Sequence, residues 1–144
     1  MLFRSEPFLV ASSVIGIMAQ RLVRTLCQAC RKQVVPLETE LAQLGLTRER
    51  LQALGSGYVY APVGCQECRD TGYRGRTGIY ELLVIDDDVR PLIMENKDSG
   101  TIKKTAIKKG MQTLRDDGAR KVMAGETSMA EILRVTQDDL LDLE

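Results

Sequence analysis

Four cysteines in two C-x-x-C pairs, Cys27/Cys30 and Cys65/Cys68, are all the cysteine in this 144-residue chain. A C-x-x-C turn aims two sulfurs at one point, and two such turns supply the four ligands of a closed tetrahedral site. The chain has no histidine, so a soft, fully ligated site must be built from sulfur alone. The pairs lie 34 residues apart, more than in a compact zinc ribbon. That length leaves room for a small inserted subdomain clipped shut at its base.

Three chemistries compete for these sulfurs. Structural zinc fits the pattern best. Disulfides are disfavoured, because no signal peptide precedes the pairs and bridges are rare in reducing compartments. Redox-active C-x-x-C motifs come singly within a βαβ pattern, unlike these. Zinc is therefore expected to hold the region folded, with binding energy on the order of 10 kcal/mol acting as folding energy. Four protein sulfurs leave the metal no open position, so no catalytic role follows.

Charge and aromatic content narrow the function further. Net charge is zero, but residues 1–76 carry ten Lys and Arg against six Asp and Glu, and residues 77–144 carry ten against fourteen. Such asymmetry suits a polar face for a protein partner. Nucleic-acid binding usually brings a strong basic excess and aromatic platforms, whereas this chain has 4% aromatics and no tryptophan. No apolar run approaches the 18 or more residues of a membrane span.

The local pattern predicts mostly short helices. Glu6-Pro7 opens a first helix, with Phe8, Ala11, Ile15, Met18 and Leu22 at three- and four-residue steps facing a core. Residues 21–26 alternate and lead, extended, into the first cysteine pair. Leu37, Leu41 and Leu44 mark a helix closed by Gly45; Thr47 caps another carrying Leu51 and Leu54 and ended by Gly55. Gly55-Ser56-Gly57 is read as a turn, not a phosphate loop. Tyr58–Tyr60 is strand-like. The glycines of Thr71–Gly78 point to tight turns or close backbone approach, and Ile79–Ile85 to a strand. Helices follow with Asp88 as a cap, over Thr101–Lys109 and Thr113–Ala124, and after a capping box at Ser128–Glu131.

Three blocks carry a family resemblance. They are Glu6–Ser13 with Ala19–Arg24; Gly64-Cys65-Gln66-Glu67-Cys68 continuing through Thr71–Ile79; and Arg115–Ser128. Together they span residues 6–137 and resemble the type II secretion ATPases. The resemblance implies an α+β, mostly helical fold. Residues 1–26 would end a RecA-like P-loop ATPase core, 27–68 form a tetracysteine zinc module, 69–137 form a strand and a closing bundle of short helices, and 138–144 an acidic tail. Met1–Ser5 match the family poorly.

The family consists of cytoplasmic motors that assemble as hexamers, peripheral to the inner membrane, against secretion platform proteins, and drive pseudopilus growth with ATP and magnesium. This chain lacks G-x-x-x-x-G-K-[ST], so the phosphate cradle is missing and the chain alone is expected neither to bind nor to hydrolyse ATP. The resemblance leaves Cys27, Cys30, Cys65 and Cys68 as metal ligands. Arg74 and Arg76, arginines between glycines, could reach a nucleotide phosphate or an acidic neighbouring subunit, or be solvated on a hairpin. The pilus-assembly ATPases are the near alternative. A nucleic-acid-binding zinc module and a thiol-dependent chaperone are alternatives of a different class.

Overall fold

An antiparallel ribbon of two long strands frames the fold. The computed structural model describes residues 6–54 and 56–137. In chain order the elements are α1 (Pro7–Ser13), β1 (Gly16–Leu26), β2 (Lys32–Val34), α2 (Glu38–Gln43), α3 (Arg48–Leu54), β3 (Val59–Ala61), β4 (Tyr73–Val84), α4 (Val89–Met94), α5 (Ser99–Lys108), α6 (Leu114–Met123) and α7 (Met129–Val135). The architecture is α+β. Expectations placed on Met1–Ser5, Gly55 and residues 138–144 fall outside the described residues.

The first expected helix is wrong in its second half. Pro7 does open α1, but the chain turns extended at Val14 and runs as strand from Gly16. Gly16 weakens helix propagation, and flanking Val14, Ile15 and Ile17 are branched at Cβ. The ladder with β4, from Gly16 opposite Val84 to Leu26 opposite Tyr73, then settles the competition. The expected apolar stripe is not a core face here. Phe8, Ile15, Met18 and Leu22 are all more than half exposed, and of the five only Ala11 is buried. Met18, Leu22, Tyr80, Leu82 and Val84 instead form an apolar patch on one face of the ribbon.

Capping decides the short helices. Thr47 accepts a hydrogen bond from the Arg50 N–H ahead of α3 (3.2 Å). Asp98 does the same from Thr101, starting α5 at Ser99, two residues earlier than its apolar pattern indicates. Thr113 and Asp116 form a reciprocal box at α6. Asp88 is not the cap expected of it. Asp86 Oδ1 accepts from the N–H groups of Asp88 and Val89 (3.1 and 3.0 Å), while Asp88 pairs with Lys109. A side chain three residues before the first helical residue reaches the free N–H groups better than one already in helical conformation.

One core joins these pieces. Val23 and Ile79 from the ribbon, Leu41, Leu44, Leu46, Leu51 and Val59 from between the cysteine pairs, and Leu114, Ala119, Val122, Met129 and Ile132 from α6 and α7 form a single buried cluster. Each Val, Leu, Ile or Met among them contributes about 1.5–3 kcal/mol when fully buried. Gly118 lets α6 and α7 approach closely, since a Cβ there would lie 2.6 Å from Ile132 Cγ2.

Candidate metal centre

Both cysteine pairs lie at the same end of the β1/β4 ribbon. Cys27 follows β1 directly, and Cys68 precedes β4 by four residues. A bulge tightens this end: between the Arg24–Arg76 and Leu26–Tyr73 pairs β4 carries one extra residue, with Gly75 at φ +81°. On the other side Cys30 leads into β2 and Cys65 is reached from β3, and these strands pair from Lys32 opposite Ala61 to Val34 opposite Val59. Two ribbons thus meet at the four sulfurs.

The sulfurs converge. All four lie within 4.8 Å of one another, with Cys27–Cys65 and Cys30–Cys68 at 3.8 Å and Cys65–Cys68 at 3.7 Å. A tetrahedral ion with metal–sulfur bonds of about 2.3 Å requires sulfur–sulfur edges of about 3.8 Å. A disulfide needs about 2.05 Å; all four cysteines are free. The residues fit a thiophilic ion, and no fifth ligand is called for.

Backbone N–H groups complete the nest. Cys30 Sγ accepts from Gly64 (3.3 Å), and Cys68 Sγ accepts from Cys65 and Gly72 (3.1 and 3.2 Å). Burial opposes ionisation of Cys68, but these N–H groups outweigh it and bring the thiol down to about 6. At Cys65 the Cys68 backbone favours the thiolate, yet burial and the neighbouring Cys68 and Cys27 sulfurs push it up to about 11.

Gly72 ties the two pairs together. Its carbonyl accepts the Cys27 N–H (3.0 Å) while its own N–H reaches Cys68 Sγ. Its φ is +79°, and a Cβ would fall 2.4 Å from Pro62 Cβ. Only glycine meets both demands.

Arg74 and Arg76 lie on β4 beside this centre, exposed. Arg74 makes a solvent-exposed pair with Glu67 at 3.7 Å. Arg76 stands across the ribbon from Arg24. Neither joins the sulfur cluster.

Sequence reasoning missed a second group of residues that the fold brings to the same end. Glu131, 1% exposed, accepts from the Arg24 N–H (3.0 Å), from Arg24 Nη2 (2.9 Å) and from Arg134 Nη2 (2.7 Å). Burial works against its charge, but the Arg134 and Arg24 hydrogen bonds prevail and hold the carboxyl at about 2. The expected capping box is thus only half formed: Ser128 accepts the Glu131 N–H, while the Glu131 side chain turns to β1. Arg24 also stacks on the Tyr73 ring at 4.1 Å, and Tyr73 bonds Ser128 through the two hydroxyls at 2.6 Å. The signal was Glu131 itself, but its partner lies 107 residues away.

A cleft of about 590 Å³ lies elsewhere, between β4 and the α5–α6 junction, lined by Tyr80, Leu82, Lys109, Gln112 and Arg120 among others. Among the described residues no helix is long and apolar enough to cross a membrane.

Comparison with known proteins gives a consistent result. A family model described as type II/IV secretion system protein matches residues 2–134. The chain is similar to type II secretion system protein E of Pseudomonas aeruginosa, 45% identical over 93% of this chain and 26% of that protein. It is 42% identical to type II secretion system ATPase E of Vibrio cholerae, over 92% of this chain and 25% of that protein. It is also 42% identical to the type IV pilus assembly ATPase PilB of Thermus thermophilus, over 91% of this chain and 14% of that protein. The chain therefore spans about a quarter or less of the length of these relatives.

Proposed function

Because the chain belongs to the type II/IV secretion system protein family, we propose that it is the carboxyl-terminal, zinc-stabilised part of a cytoplasmic motor ATPase that drives type II protein secretion by building a pseudopilus. The observation that carries this reading is the pairing of a near-complete match along this chain with a preserved tetrathiolate geometry and no phosphate-binding loop. Nucleotide, magnesium and the catalytic groups belong, on this reading, to the rest of a longer parent that works as a hexamer at the inner membrane. The chain alone turns over no ATP.

Within the parent, Cys27, Cys30, Cys65 and Cys68 hold zinc as a structural ion, and its chemistry is to fix two ribbons at one point. Arg74 and Arg76, exposed at that point, are the side chains proposed to meet a nucleotide phosphate or an acidic surface of a neighbouring subunit, since a guanidinium fork suits either. The exposed apolar patch of Met18, Leu22, Tyr80, Leu82 and Val84 supports packing of the ribbon against other parts of the parent.

A type IV pilus motor is the second reading, favoured by the 42% identity to PilB. Asp86, Asp116 and Asp117 serve as caps and as an edge contact in this fold. Their chemistry would suit either system.

The test is a graft. This chain replaces the aligned segment of the Vibrio cholerae relative, and secretion is assayed in a strain lacking that protein. Restored secretion is expected, with one zinc per chain by elemental analysis of the purified chain. A folded, metal-loaded graft that fails to secrete, or ATP turnover by the isolated chain, overturns the reading. A parallel graft into PilB that alone restores function selects the pilus alternative.

A further inference from the structure

We propose that the segment from Gly125 to Glu131 is a clasp on the metal centre, so that seating helix α7 and retaining the metal are one coupled event. The inference rests on the tetrathiolate reading above. Its ground is where five residues of this seven-residue segment attach. Leu26, immediately before Cys27, donates its N–H to the Glu126 carbonyl at 2.9 Å. Arg31, immediately after Cys30, donates to the Gly125 carbonyl at 2.6 Å and stacks on Tyr60 at 4.1 Å. Thr127 Oγ1 donates to the Arg24 carbonyl at 2.8 Å. Tyr73, next to Gly72, bonds Ser128, and Glu131 grips Arg24. Both flanks of the first cysteine pair and the exit of the second are thus fixed by one segment.

Burial makes these contacts matter. Thr127, Ser128 and Glu131 are at most 3% exposed. Buried polar groups are costly unless paired, and the strands entering the metal centre supply much of their pairing. Gly125 is held to its role by space: at φ +75°, a Cβ would fall 2.7 Å from Arg31 Nη1 and 2.9 Å from Tyr60 Cδ2. If a splayed first pair releases the clasp, then a released clasp weakens the first pair by the same factor, since coupling is reciprocal.

The experiment measures zinc release from the purified chain into excess EDTA, with a colorimetric chelator as reporter. Glu131→Gln and Tyr73→Phe remove parts of the clasp without touching a sulfur ligand, and Asp98→Ala removes the remote cap of α5 as a control for general destabilisation. Release is expected to quicken about tenfold in Glu131→Gln, a change the size of a modest coupling in affinity, less in Tyr73→Phe, and not at all in Asp98→Ala. In the wild type, hydrogen exchange of α7 amides should rise when zinc is removed. Wild-type release rates in both clasp variants overturn the inference, as does equal acceleration by Asp98→Ala or α7 exchange indifferent to zinc. Should Glu131→Gln fail to fold, Tyr73→Phe and the wild-type exchange decide. A purified chain that binds no zinc at all would instead sink the metal reading beneath it.

Discussion

Replacing Glu131 with glutamine keeps the shape of the side chain and one acceptor while removing its charge. The carboxylate is 1% exposed and serves two guanidiniums and one backbone N–H. Its pKa of about 2 lies some 2.5 below the ordinary 4.5. At about 1.36 kcal/mol per pKa unit, ionisation of Glu131 stabilises the fold by about 3 kcal/mol. The figure stays at the low end for breaking a buried pair, because Arg24 and Arg134 are 47% and 61% exposed and regain water when abandoned. Total stabilities run about 5–15 kcal/mol, so the loss is large.

The sign is definite. A depressed carboxyl pKa contributes fully above the unfolded value, and that contribution is lost as pH falls from about 4.5 to about 2. Urea unfolding is the assay, run from pH 7 downward on wild type and Glu131→Gln, with bound zinc measured at each pH so that metal loss in acid is separated from the carboxylate's own contribution. The variant should be about 3 kcal/mol weaker at pH 7, and the gap should close through that acid window as the wild-type carboxyl becomes neutral too. A gap under about 1 kcal/mol at pH 7, or one that does not narrow with acid, would refute the electrostatic account.

Two further substitutions probe the packing. Gly118→Ala drives a methyl to within 2.6 Å of Ile132 Cγ2 and 2.9 Å of Cδ1, and thermal melts should show a loss of about 1–3 kcal/mol that Ile132→Val, by removing Cδ1, relieves in part. Leu51→Ala, at a position 2% exposed in the core shared with α6 and α7, should cost about 2–5 kcal/mol in a single denaturant transition seen equally by probes in the inserted stretch and in α6.

The sulfur cluster was legible because its information is local. Two residues between sulfurs dictate a turn whatever surrounds it, and Cys27, Cys30, Cys65 and Cys68 do converge. Caps at Thr47 and Ser128 were legible for the same reason, whereas Thr113, read as the first residue of its helix, is the cap before it. The error over residues 16–22 has the opposite cause. Apolar residues there fit helical and alternating patterns alike, and a ladder with residues some 60 positions later chose between them. The interval from Cys30 to Cys65 reads as an inserted unit, but nothing local reveals that its leucines share a core with α6 and α7. Glu131 shows the same limit: S-x-x-E is a cap by pattern, and only the approach of β1 redirects the carboxylate.

The ribbon also has two outer rims, and a carboxylate is posted on each. Asp117 takes the Tyr80 N–H at 3.0 Å on one side, and Glu131 takes that of Arg24 on the other. Amide donors that a foreign chain could otherwise zip onto are thereby withheld at those two points. Removing both carboxylates by substitution would therefore do more than loosen the monomer: it would uncover sticky borders, and self-association at neutral pH is the expected fate of a chain without them.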